Sequence, residues 1–139
     1  MTATTPHRIV IVGGGAGGLP LATKLGDKYG GRDGRALVTL VDCNATHVWK
    51  PLLHEVAAGR MDADAHDLDY LAIAHWHGFR FRQGAVSGLD RARREITIDA
   101  VVSAEGEEML PVRVLHYDTL VFCVGSVSND FGIPGVAQH

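Results

Sequence analysis

Cysteine is scarce in this sequence. Only Cys43 and Cys123 occur, far apart and in no C-x-x-C arrangement, which excludes a redox dithiol and a zinc ribbon and leaves two reduced thiols in packing roles. Long apolar runs are missing as well. No stretch reaches the roughly 18 to 20 residues that a membrane-spanning helix needs, and Met1-Thr2-Ala3-Thr4-Thr5-Pro6 lacks the charged-then-apolar layout of a secretion signal, so a cytoplasmic location is expected. Basic runs are absent too: the net charge is -3 and no Lys/Arg cluster offers a phosphate polymer a surface, which argues against nucleic acid as a partner. There is no internal repeat and no low-complexity linker. With 46% hydrophobic and 21% charged residues over 139 positions, the composition fits one globular domain.

Glycine, by contrast, is abundant where it matters. Arg8-Ile9-Val10-Ile11-Val12 is an apolar strand that empties into Gly13-Gly14-Gly15-Ala16-Gly17-Gly18, the spacing G-x-G-x-x-G, followed by a helix. In this pattern Gly13 allows a sharp turn, Gly15 lets a diphosphate approach the backbone, and Gly18 lets helix and strand pack closely. The helix N-terminus adds unpaired N–H groups and a partial positive charge. The pattern alone is weak, but its context is strong. Ala36 to Val41 reads as a second buried parallel strand ending on Asp42, where this architecture places an acid against a ribose hydroxyl pair. A carboxylate there repels a 2′-phosphate and disfavours NADP.

The spacing predicts an amphipathic helix over 19–29, with Leu21, Ala22 and Leu25 on one face and Gly30-Gly31 as its stop. Pro20 is harmless only if it falls in the first turn. Leu68 to Trp76 has helical spacing again. Phe79 to Arg82 alternates as a strand, Ala85-Val86 closes that strand region, and Glu95 to Asp99 and Pro111 to Leu115 are further strands joined by polar turns at 91–94 and 105–108. Such a meander takes the place of a crossover helix in flavin-binding variants of the fold. Tyr117 to Gly125 then reads as a buried strand that returns beside the first and ends in a glycine turn. The expected class is α/β, a Rossmann-like dinucleotide-binding domain with a parallel sheet and a β-meander crossover.

Several apparent motifs fail on inspection. His54-Glu55-Val56-Ala57-Ala58 has alanine where H-E-x-x-H needs its second histidine. Asp62, Asp64, Asp67 and Asp69 lack the glycine and the glutamate of a calcium loop. His75 and His77 stand two apart and read as surface or helix-end residues. Ser126 has no G-x-S-x-G around it. No metal site is indicated.

The glycine segment, Asp42, the block Trp49-Lys50-Pro51-Leu52-Leu53-His54-Glu55-Val56-Ala57, and the stretch from Tyr117-Asp118-Thr119-Leu120 to Gly125-Ser126-Val127-Ser128-Asn129-Asp130-Phe131 together resemble the N-terminal part of bacterial type II NADH dehydrogenases, the single-subunit NADH:quinone oxidoreductases. The resemblance spans nearly the whole chain. It implies non-covalent FAD, NADH as hydride donor, a membrane quinone as acceptor and no proton pumping. It implies further that Gly13, Gly14, Gly15, Ala16, Gly17 and Gly18 cradle the diphosphate and Asp42 the adenosine ribose, with Lys50 and Pro51 near the ribityl and ring portion. Val86 would meet adenine through its backbone, and Val124-Gly125 would pass close to the cofactor. Cys123-Val124-Gly125 departs from the family's A-T-G turn, so only the backbone approach carries over. Lys50 is the candidate for stabilising negative charge on the reduced ring; no acid–base residue can be named.

On this resemblance residues 1–139 are an incomplete FAD-binding domain without turnover of its own, the NADH-binding and membrane-attachment regions lying elsewhere. The whole protein would be a homodimer on the cytoplasmic face of the inner membrane. A stand-alone NAD-binding module would share the glycine turn and Asp42 but not need the Lys50-Pro51 block. A sulfide:quinone flavoprotein would need better-placed cysteines.

Overall fold

The computed structural model describes residues 5–32, 34–47, 57–60, 68–126 and 131–134. Strand β1 (His7–Val12) and strand β2 (Ala36–Asp42) pair in parallel from His7↔Ala36 to Val12↔Val41, bridged by helix α1 (Gly18–Tyr29). Two short strands, β3 (Thr46–His47) and β4 (Leu68–Asp69), form an antiparallel clip that leads into helix α2 (Tyr70–His77). Strand β5 (Arg80–Gln83) joins the far side of β2 in parallel.

Next come β6 (Val86–Asp90), β7 (Glu95–Ile98), β8 (Val101–Val102), β9 (Glu108–Leu110) and β10 (Arg113–His116). They build an antiparallel meander in the order β10-β7-β6 with β8-β9 as a side hairpin. Strand β11 (Thr119–Phe122) then returns to β1, completing a parallel sheet in the order β11-β1-β2-β5.

The period of two in the apolar strands splits their side chains between two cores. Ile11, Val38, Leu40 and Phe81 face α1 and α2, joined by Ala22, Tyr70 and Ala74. Val10, Val12 and Val41 face the meander, where Ile96, Ile98 and Tyr117 cover them. With both faces of the sheet covered, β1 and β2 have to read as continuous apolar runs. Each fully buried aliphatic side chain contributes roughly 1.5–3 kcal/mol through burial.

Helix α1 begins where the glycine pattern requires. Leu19 N–H donates to Gly15 O at 3.2 Å and Leu21 N–H to Gly17 O at 3.3 Å, so Pro20, which has no N–H, sits in the first turn and costs little. At the other end Gly30 N–H closes on Gly26 O at 2.9 Å.

Four expectations need correction. The segment read as helical from Leu68 begins as strand β4, because Leu68 and Asp69 pair with His47 and Thr46; the helix starts at Tyr70. Helix α2 also leaves Leu71 and Trp76 largely exposed, burying only Tyr70 and Ala74 fully. Val86 opens a strand rather than closing one, since Gly84 (φ +144°) breaks the chain after β5. The polar turn expected at 105–108 is present but closes an additional hairpin, β8–β9, instead of joining β7 directly to β10, and β11 is an edge strand of the parallel sheet with Phe122 half-exposed rather than buried.

Candidate functional site

The strand order reverses at β1, with β2 on one side and β11 on the other, and ligands of open α/β sheets lie beyond the strand ends at such a point. Here those ends are tied together by backbone. Gly13 N–H donates to Val41 O at 2.8 Å, Cys123 N–H to Val12 O at 2.7 Å, and Gly84 N–H to Asp42 O at 2.9 Å.

Gly13 turns off β1 at φ +99°, and a Cβ there would overlap the Cys123 carbonyl oxygen. A Cβ on Gly18 would overlap the Gly13 carbonyl oxygen and lie 3.2 Å from Cys123 Cβ. Both positions therefore admit only glycine, because the obstacles are backbone atoms just past the ends of β1 and β11. Gly15 and Gly17 are different: among the described residues, a Cβ at either meets nothing within 4 Å. No described residue closes that side of the turn. Gly17 begins α1 without a side-chain cap and no acidic residue occupies its first turn, so nothing from the helix's own start competes for its amide donors.

Asp42 closes the site. Its Oδ2 accepts the Gly14 N–H at 2.7 Å, and its Oδ1 accepts from Asn44 N at 2.8 Å and Asn44 Nδ2 at 3.3 Å. A carboxylate has about four lone-pair directions, so capacity remains for a further donor. The structure thus brings Gly13 to Gly18 and Asp42 together at one edge, with the backbone of Cys123 and Val124 against Gly13.

Gly125 takes a left-handed turn at φ +67° and Val124 is exposed. Val86, half-buried at the start of β6, follows the Gly84 turn that docks on Asp42. Lys50 and Pro51, the rest of the block from Trp49 to Val56, and Val127 to Asp130 lie outside the described residues, as do His54, Asp62, Asp64 and Asp67. Asp69, the remaining acid of that group, caps α2, accepting from Leu71 N at 2.7 Å and Ala72 N at 3.3 Å. His77 ends α2 with Nδ1 2.9 Å from Asp27 Oδ1, and Cys43 is exposed.

Tyr70 is the residue that sequence reasoning did not single out. It is 2% exposed, its ring stacks on Phe81 with centroids 4.9 Å apart, and its hydroxyl donates to Gly14 O at 2.7 Å. His47 Nδ1 lies 3.4 Å from the same hydroxyl. Burial raises the Tyr70 pKa above its ordinary value, and the nearby Asp42 and Cys43 raise it further, so the phenol stays protonated and remains a donor. A tyrosine in an apolar helix start signals a buried hydroxyl in need of a partner. That the partner is the glycine turn 56 residues earlier is not visible in the sequence.

Comparison with known proteins adds the following. The family model described as pyridine nucleotide-disulphide oxidoreductase matches residues 7–139. A type II NADH:quinone oxidoreductase of Haemophilus influenzae is 49% identical over 131 residues, covering 94% of this chain and 29% of that protein. The type II NADH:quinone oxidoreductase NdhA of Mycobacterium tuberculosis is 30% identical over 127 residues, covering 91% of this chain and 24% of that protein. The chain therefore spans under a third of the length of these relatives. Among solved structures, NDH2 of Plasmodium falciparum superposes with a TM-score of 0.73 at 20% identity, over 97% of this chain and 25% of that one. A sulfide:quinone oxidoreductase of Aquifex aeolicus gives 0.66 at 17% identity, over 89% and 25%. These likenesses establish a shared fold. Among the described residues no helix is long and apolar enough to cross a membrane.

Proposed function

This chain belongs to the pyridine nucleotide-disulphide oxidoreductase family, and from that premise we propose that it is the FAD-binding portion of a type II NADH:quinone oxidoreductase. The observation that carries this reading is the meeting of the uncapped glycine turn with Asp42 across the ends of β1 and β2. A diphosphate needs several N–H donors and room to approach them; an adenosine ribose needs a carboxylate acceptor beside it. Both requirements fit the residues present.

In this reading the amides of Gly15, Ala16 and Gly17 hold the diphosphate on the open side of the turn. Asp42 accepts from the ribose hydroxyls and, by its charge, rejects a 2′-phosphate. The Val86 backbone meets adenine, and Val124-Gly125 runs along the flavin side; the family resemblance assigns Lys50 and Pro51 to the same portion of the cofactor. Bound FAD supplies the capacity to take a hydride and release electrons onward. The chain's own residues bind and orient it and tune its surroundings. NADH as donor, a membrane quinone as acceptor, attachment to the cytoplasmic face of the inner membrane and homodimer formation are properties proposed for the whole protein. The relatives' names and the 49% identity support the NADH donor and the quinone acceptor; the attachment and the dimer rest on the family resemblance alone.

The test is selective retention. Purified chain incubated with FAD, FMN or NAD and passed through a desalting column is expected to keep FAD alone, with a yellow absorbance near roughly 450 nm. Loss of FAD together with thermal stabilisation by NAD would replace this reading with that of a stand-alone NAD module.

A further inference from the structure

We propose that Tyr70 is a positioning residue for the diphosphate cradle: by holding the Gly14 carbonyl inward, its hydroxyl turns the Gly15 N–H outward to the ligand. The inference rests on the diphosphate reading above. In a trans peptide the C=O of one residue and the N–H of the next point in opposite directions. Gly14 O ends on the buried Tyr70 hydroxyl at 2.7 Å. The Gly15 N–H must then face away from the core, toward the side where a Cβ on Gly15 would meet no described residue within 4 Å.

The Gly14 unit is fixed from both directions. Asp42 Oδ2 takes its N–H at 2.7 Å while Tyr70 takes its C=O, and a Cβ on Gly14 would stand 2.5 Å from the Tyr70 hydroxyl. Neither peptide of the turn can rotate without leaving a buried polar group unpaired. Tyr70 is itself held by three devices. The Thr46↔Asp69 and His47↔Leu68 pairing delivers it beneath the turn, Ala45 O accepts its N–H at 3.2 Å, and Phe81 stacks on its ring. A preorganised donor costs nothing to orient when the ligand arrives, which is why fixing the peptide raises affinity.

The test separates diphosphate recognition from general stability by comparing ADP with adenosine. In Tyr70→Phe, which keeps the ring on Phe81, the Kd for ADP is expected to rise about tenfold while that for adenosine moves less than about twofold, as for loss of one charge-assisted contact. Val38→Ala, which loosens the same core but keeps the hydroxyl and the Phe81 ring beneath it, is expected to lower Tm and leave the ADP-to-adenosine ratio unchanged. Equal weakening of both ligands by Tyr70→Phe, or the same ratio change in Val38→Ala, overturns the proposal.

A measurement on the unaltered chain keeps it testable should Tyr70→Phe not fold. Residue-resolved amide exchange is expected to find Gly14 protected without ligand and Gly15 protected only after ADP is added. A Gly15 amide unmoved by bound ADP overturns the proposal. No binding of ADP or FAD by the unaltered chain would instead remove the diphosphate reading beneath it.

Discussion

Asp42 and Gly14 are joined by a 2.7 Å hydrogen bond from the Gly14 amide to Oδ2, although 28 residues separate them in sequence. This contact ties the end of β2 to the turn that leaves β1. It also places a carboxylate beside the glycine turn, as the proposed ribose and diphosphate contacts require.

Asp42→Asn tests the carboxylate. An amide retains an acceptor for the Gly14 N–H but lacks the charge, and hydrogen bonds to charged groups are worth about 1.5–3 kcal/mol. FAD affinity measured by flavin fluorescence is expected to fall tenfold or more. ADP should bind the parent chain more tightly than 2′-deoxy-ADP, and that preference should shrink in the variant. An undiminished preference would separate Asp42 from the ribose.

Two glycine substitutions should behave in opposite ways. Gly18→Ala drives a methyl into the Gly13 carbonyl oxygen, backbone of a turn held to β2 by the Gly13 N–H bond to Val41 O, so a stability loss on the order of 1–3 kcal/mol is expected together with loss of FAD binding. Gly15→Ala meets no described residue within 4 Å, and Gly15 is not among the positive-φ glycines, so folding stability should shift by under about 1 kcal/mol. Its methyl projects where the diphosphate must sit. Thermal melts with and without FAD check both: Gly15→Ala should keep its melt and lose its ligand shift.

Acid sensitivity should trace in part to Asp118. Its carboxylate accepts from Arg8 Nε at 3.1 Å, Arg8 Nη2 at 3.0 Å and the Arg8 N–H at 2.8 Å, while Asp118 N–H donates to Arg8 O, so the pair pins β11 to β1. These bonds hold the Asp118 pKa well below the usual carboxylate range. Because the folded value lies below the unfolded value of about 3.9, the contribution is complete above that pH and is lost as pH falls toward the folded pKa. Tm measured from pH 7 down to pH 2 should fall less steeply below about pH 4 in Asp118→Asn than in the parent chain. Parallel curves would assign the acid sensitivity to other groups.

The sequence made the parallel core legible because both strands beside the glycine turn are buried on two faces and so read as apolar runs. Asp42 was legible for the same reason, as the first charge after such a run. The β3–β4 clip and the meander were harder. Leu68 and Asp69 look helical by spacing but are captured by pairing with Thr46 and His47, a long-range contact that local periodicity does not encode. The β8–β9 hairpin has an exposed Val102, Met109 and Leu110, so no apolar–polar alternation marks it. Tyr70 illustrates the same limit at the site: its type signals a buried hydroxyl, while its partner is set by tertiary packing.

The most direct test of the account is a crystal structure of the chain with FAD. It should show the diphosphate against the amides of Gly15 to Gly17 and a ribose hydroxyl within hydrogen-bond distance of the Asp42 carboxylate, with the Tyr70–Gly14 contact retained. A diphosphate bound away from the glycine turn, or an Asp42 that leaves Gly14 and faces no sugar, would contradict it.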